Sequence, residues 1–194
     1  KVFSKVYADH SGEQEEIERL EQAEINAVKA CRQNGIRWTI FRPTVIYGVG
    51  LDRTIMRIAD AARRFGAVII DPPAKGRRQP VHADDLAQAV LRVLDEKKAL
   101  DKAYNLSGGE VLEYRAIIER VMAACGQRPR IFEAGFLPNW LDKIGRFLGR
   151  RGLHGEYLRQ MNQDMTMPYS EARNDFGYHP RPFLKGGAAD LGEY

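Results

Sequence analysis

The 194-residue chain carries 30 Lys and Arg against 26 Asp and Glu, a formal charge of +4 that is spread along the sequence. This balance weakly favours an anionic ligand and speaks against the clustered basic and aromatic face of a nucleic-acid binder. The length suits one core, or one and a fraction, and no run approaches the ~20 apolar residues of a membrane span or the apolar stretch of a signal peptide. A soluble, cytoplasmic protein with no membrane partner is therefore expected.

The first residue is Lys1, and Lys1-Val2-Phe3-Ser4 reads like the exit of a strand, as in a fragment of a longer chain. From Glu13 to Asn34 the residues Ile17, Leu20, Ala27, Val28 and Cys31 recur at helical spacing, and Gly35 supplies the stop. Ile36 to Phe41 is short, β-branched and aromatic, bounded by Gly35 and Pro43, and predicts a strand. The alternation continues: helix over 53–65, extended over 67–70, helix over 85–96, extended over 103–106, helix over 114–125. Such alternation predicts an α/β fold. Cys31 and Cys125 fall inside helical patterns beside alanines and read as small buried hydrophobes, consistent with a reducing compartment.

After Gly126 the character changes. Arg130-Ile131-Phe132 is the last convincing extended run, and amphipathic segments at 137–148 and 155–165 make the tail mainly helical. Prolines and glycines from Pro180 to Tyr194 give no period and predict an irregular strap that docks on the body or frays. The division expected is residues 1–125 and 126–194.

Two segments belong together: Phe41-Arg42-Pro43-Thr44-Val45-Ile46-Tyr47-Gly48-Val49-Gly50 and Arg78-Gln79-Pro80-Val81-His82-Ala83-Asp84-Asp85-Leu86-Ala87-Gln88-Ala89-Val90. With Tyr104-Asn105-Leu106-Ser107-Gly108-Gly109-Glu110, they resemble the later half of the NAD(P)-dependent epimerase/dehydratase family, the extended and atypical short-chain dehydrogenase/reductases. The resemblance covers most of 36–125. It implies the C-terminal portion of a Rossmann-type parallel sheet plus a mainly helical substrate-binding region, a cofactor of NAD or NADP, and a small-molecule substrate, usually a nucleotide sugar.

The same resemblance implies site residues. Pro43, Thr44 and Val45 would meet the nicotinamide end of the cofactor; the physical sense is that a proline ending a strand leaves neighbouring backbone groups for a ligand at the carboxyl end of the sheet. The proline could equally do no more than end the strand. Arg53 or Thr54 stands near the family's substrate-binding asparagine, although a solvated face explains Arg53, Arg57, Arg63 and Arg64 with less. Arg78 takes the place of the arginine that reaches the diphosphate of a nucleotide sugar. His82 reads as structural, and Asp84 or Asp85 as an N-cap.

What is missing weighs as much. The family opens with a glycine-rich turn, expected to lie upstream of Lys1, and works through Tyr-x-x-x-Lys. Aligned from Glu24, the tyrosine position holds Glu16 and the lysine position Leu20, while none of the eight tyrosines has lysine four residues on. The catalytic residues are thus not assigned; Ser4 is a candidate for the family's serine or threonine. Gly149-Arg150-Arg151-Gly152-Leu153-His154-Gly155 spells a glycine pattern but follows a helical segment, so it reads as a connector rather than a dinucleotide loop. A non-catalytic nucleotide-binding or scaffold protein is the alternative, no metal site is seen, and an exposed sheet edge would be covered by a symmetric partner.

Overall fold

A computed structural model describes residues 11–50, 52–133 and 160–192, with the side chains of 11–14 and 16 left aside. The elements are α1 (Ser11–Gln33), β1 (Thr39–Pro43), β2 (Ile46–Tyr47), α2 (Ile55–Phe65), β3 (Val68–Ile70), β4 (Arg77–Arg78), β5 (Val81–His82), α3 (Ala83–Val93), β6 (Lys102–Leu106), β7 (Leu112–Glu113), α4 (Tyr114–Ala124), β8 (Ile131–Glu133) and α5 (Ser170–Phe176). Single 3-10 turns lie at Lys97–Ala99 and Gly187–Leu191.

Three strand pairs are parallel. β1 runs beside β6 from Thr39 opposite Lys102 to Pro43 opposite Leu106, β2 beside β5, and β3 beside β8. β4 and β7 pair antiparallel. Parallel neighbours need long crossovers, and here α2, α3 and α4 provide them. The α/β reading of the sequence is borne out.

Two apolar clusters hold the layers. In the first, α2 presents Ile55, Ile58, Ala59 and Ala62, a three-four spacing that puts all four on one stripe, toward Ile117, Ile118, Val121 and Met122 of α4. Met161, Phe183 and Leu191 close this cluster, with the Phe183 ring 4.8 Å from that of Tyr47. In the second, Tyr104 and Leu106 of β6 pack with Ala89 of α3 and with Ala172, Phe176 and Tyr178. Each fully buried Ile, Leu or Phe here contributes about 1.5–3 kcal/mol. The segment from 180 docks through Phe183 and Leu191.

Other expectations need correction. The first strand lies at 39–43 rather than 36–41, because Thr39 Oγ1 donates to Ala99 O (2.8 Å), Trp38 O accepts from Asp101 N (2.6 Å), and pairing with β6 carries the strand through Pro43. The helix expected over 155–165 does not run past 160: 161–162 form a turn and Met165 bridges to Arg78, while 155–159 lie outside the described residues. Asn162 and Asp164 divert their side chains to the backbone N–H groups of Ala74 and Arg77, each at 2.8 Å, which competes with helix continuation. The segments 137–148 and 149–155 lie outside the described residues. Cys31 and Cys125 are half-buried rather than buried. No described side chain of α1 is fully buried, and Leu20 is 61% exposed; α1 is tied to β1 by an ion pair of Glu24 with Arg42.

Candidate functional site

Ligands of open α/β sheets bind beyond the carboxyl ends of the strands. At that end of β1 the chain passes Pro43, Thr44 and Val45. Thr44 N donates to Leu106 O (3.2 Å), Val81 N donates to Val45 O (2.9 Å), and Gly108 N donates to Gln79 O (3.1 Å). The three predicted cofactor contacts are therefore gripped between the exit of β6 and the β4–β5 turn. Thr44 is buried and its hydroxyl donates to Gln79 O.

Gln79 is the residue that sequence reasoning overlooked. It is 7% exposed, its Oε1 accepts from Met167 N (2.9 Å), and its Nε2 faces Gly108 O at 3.5 Å. Ser107 Oγ donates to Met167 O (2.7 Å). One amide thus joins the exits of β1 and β6 to the run 160–167. Buried glutamine is uncommon unless bonded on both sides, but nothing in the letters around it announces that bonding. Closeness of backbones completes the grip, since a Cβ on Gly108 would lie 1.8 Å from Pro80 O.

Arg78 lies inward. It is 4% exposed; Nη1 donates to Arg77 O (3.1 Å) and Gln163 O, Nη2 donates to Gln160 O, and Cζ stands 5.5 Å from the centre of the Tyr114 ring. Next to it Arg77 holds Asp164 with Nε and Nη2 at 2.9 and 2.7 Å. Those hydrogen bonds, from the side chain first and the Arg77 N–H second, hold the Asp164 carboxyl below its ordinary range, with Arg78 adding its charge. Arg53 is exposed and Thr54 half-buried at the start of α2. Thr54 makes no side-chain cap; Asp52 Oδ1 accepts from Ile55 N (2.6 Å) and Met56 N (3.1 Å) instead. Thr44 and Val45, just past the end of β1, thus adjoin the β4–β5 turn that follows Arg78, while 53 and 54 precede α2.

The cap of α3 corrects the sequence reading. Asp84 and Asp85 do not cap; the helix starts at Ala83, and His82 Nδ1 accepts from Asp84 N (3.1 Å). His82 Nε2 is 3.7 Å from Asp190 Oδ1, and the ring meets Tyr47 edge-on at 5.1 Å. Gly48, at φ +100°, passes so close that a Cβ there would stand 2.6 Å from His82 Nε2. Asp85 is taken by Arg181, accepting from its N and Nε, both at 2.9 Å.

Three buried tyrosines, Tyr47, Tyr104 and Tyr178, are held in the phenol form. Burial pushes Tyr47 up to about 12, and its oxygen accepts from Leu184 N (3.1 Å). Burial raises Tyr104 and Tyr178 further, and their hydroxyls donate to Asp175 Oδ2 (2.6 Å) and Ser107 O (3.1 Å). Among the described residues no group of three or more His, Cys, Asp or Glu is placed to hold a metal, and no helix is long and apolar enough to cross a membrane. A cleft of about 200 Å³ lined by Arg42, Asn105, Tyr169 and Ser170 is below the ~300 Å³ of ordinary ligand pockets.

Parallel strand pairs joined by helices, with the loops of two neighbouring strands clasped at their carboxyl ends, define a Rossmann-type α/β protein. The model of the NAD dependent epimerase/dehydratase family matches residues 22–107 of this chain. The 2-alkyl-3-oxoalkanoate reductase of Stenotrophomonas maltophilia is 25% identical over 177 residues, 84% of this chain and 53% of that protein. UDP-glucose 4-epimerase of Thermotoga maritima, solved with UDP-glucose, superposes with a TM-score of 0.64 at 17% identity, over 90% of this chain and 50% of its own. UDP-glucuronic acid 4-epimerase of Bacillus cereus, in complex with UDP-glucuronic acid and NAD, gives 0.60 at 15% identity, over 84% and 46%. The chain spans about half the length of the curated relatives it matches.

Proposed function

We propose that this chain is the substrate-side part of an NAD(P)-binding epimerase/dehydratase-like protein of the cytoplasm, acting by hydride transfer at a carbon that bears a hydroxyl. One observation carries the reading: within the family-matched stretch, 43–45 are clasped at the carboxyl end of β1, where ligands of such sheets lie. NAD or NADP would supply or accept the hydride, and binding it requires the glycine-rich turn that the resemblance places upstream. The residues present suit the nicotinamide end: Pro43 brings no N–H of its own, and Thr44 is fixed by Leu106 O and Gln79 O. Arg53 and Thr54 are proposed to face substrate.

For the substrate, the similar proteins point two ways. The solved epimerases are complexed with UDP-sugars, whereas the S. maltophilia relative is named for an oxoalkanoate. A calorimetric titration of the full-length protein with NADH and NADPH tests the cofactor reading. Micromolar binding of either supports it; no binding of either overturns it.

A second reading, a nucleotide-binding or scaffold protein without turnover, is favoured by Leu20. It stands where the resemblance implies the catalytic lysine, and it is exposed. Cofactor binding without oxidation or reduction of any alcohol or ketone supports this reading. With Ile25 also exposed on α1, a symmetric partner would cover the helix; light scattering showing a clean monomer contradicts that.

A further inference from the structure

We propose that the outer face of the β3–β8 pair is a docking surface for an anionic lipid bilayer, on which the protein rests without crossing it. No described helix is long and apolar enough to span a membrane, and attachment to a surface needs none.

Parallel strands are ordinarily covered on both faces. Here only one face is. Val68 and Ile70 turn inward to the first apolar cluster, with Ile131 packed against it. The alternate residues turn outward: Ile69 and Phe132 are register partners, 48% and 61% exposed. Val68 N donates to Arg130 O (3.0 Å), so the pairing starts at Arg130, and the period of two puts its side chain on the side of Phe132. Phe65, 72% exposed, ends α2 four residues before Ile69, a reach of at most ~14 Å of chain. With Arg57, Asp60, Arg63 and Arg64 it lines a shallow hollow of about 690 Å³. Gly66 turns the chain between them at φ +61° and passes beside Gln127, which brings Arg128 to the same border.

Charge says what covers this face. Arg64, Arg128 and Arg130 are exposed. The only acids on α2, β3, β8 and the run 125–130 are Asp60 and Glu133, and both are engaged, Asp60 at 3.7 Å from Arg63 and Glu133 by Arg115. An apolar centre with a cationic rim suits a body that is negative at its surface and apolar beneath. Aromatic rings settle at the boundary of headgroups and acyl chains, and guanidinium forks fit phosphate oxygens. A second copy docked symmetrically would set arginine against arginine. An acidic protein would answer the rim, but it needs a relief shaped to receive it, whereas a fluid surface conforms to a few separate anchors over a shallow hollow.

The test is flotation of the full-length protein with vesicles of phosphatidylcholine alone and of phosphatidylcholine and phosphatidylglycerol in equal parts. Binding is expected to the second and not the first, and it should fall as salt shortens the screening length. Phe132→Ser combined with Ile69→Ser, and separately Arg128→Glu combined with Arg130→Glu, are each expected to weaken binding about tenfold. All four positions are exposed, and circular dichroism checks that the fold is kept. Arg19→Glu combined with Arg32→Glu on α1 changes the net charge equally and should leave binding unchanged, which separates this face from general basicity. No flotation with the anionic vesicles overturns the proposal, as does binding that neither double variant of the β3–β8 face weakens. Equal affinity for polyglutamate, insensitive to Ile69 and Phe132, also overturns it and points to an acidic protein instead. The outcome does not depend on whether NADH or NADPH binds.

Discussion

Replacing Gln79 by leucine tests the clasp at the carboxyl ends of the strands. The substitution keeps volume but removes the acceptor of the Met167 N–H, 2.9 Å away, and the donor facing Gly108 O. A buried donor left without a partner costs about 1–3 kcal/mol. The bond to Gly108 O, at 3.5 Å, is long and adds little. We therefore expect a loss of about 2 kcal/mol, a fall in melting temperature of about 4–8 °C for a chain of this size. Urea unfolding followed by circular dichroism measures it. Gln79→Glu refines the reasoning, because it retains an acceptor for Met167 N–H but buries a carboxylate against a carbonyl oxygen. Burial raises such a carboxyl above its unfolded value. Stability of Q79E is thus greatest at low pH, where the acid is protonated and again donates, and is lost as pH rises through the folded-state value. A leucine variant within about 0.5 kcal/mol of the parent, or a glutamate variant with the opposite pH slope, refutes the role given to this amide.

Three further outcomes are expected. Asp164 is held below its ordinary 3.8, so its contribution is present above that value and is lost as pH falls through the lowered one; because the pair is partly solvent-exposed, Asp164→Asn should cost under about 1 kcal/mol and flatten the acid limb of a stability–pH curve. His82→Ala removes the acceptor for Asp84 N and should cost about 1–2 kcal/mol, with His82→Asn recovering the capping part, as read by thermal unfolding. Gly48→Ala combines a positive φ with a Cβ 2.6 Å from the imidazole and should cost at least about 1–3 kcal/mol; an unchanged melting curve contradicts the close approach.

Legibility in the sequence followed length and period. α2 and α4 show three-four stripes over eleven residues each, enough for the pattern to stand out. β2, β4, β5 and β7 have two residues each, too few for any period, and they exist because their partners do. α5 has seven residues, one repeat of an apolar stripe, and its Ala172 and Phe176 show their purpose only against Tyr104 and Tyr178. The site was legible as a place and not as a set of bonds. Pro43 before a turn marks a strand exit whatever surrounds it, but spacing along a chain does not say which way a guanidinium turns. Arg78 faces the oxygens of Gln160 and Gln163, more than eighty residues away, and Gln79 is central only because Met167 arrives beside it.

Residues 161–191 complete both apolar clusters, the first through Met161, Phe183 and Leu191 and the second through Ala172, Phe176 and Tyr178. During synthesis, neither cluster can close until those residues have left the ribosome. The parallel pairs and the helices between them must wait, half-wrapped, with apolar faces open to chaperones or to neighbouring nascent chains. A stop codon near residue 160 would therefore remove a sixth or more of the sequence and leave both clusters unsealed at once.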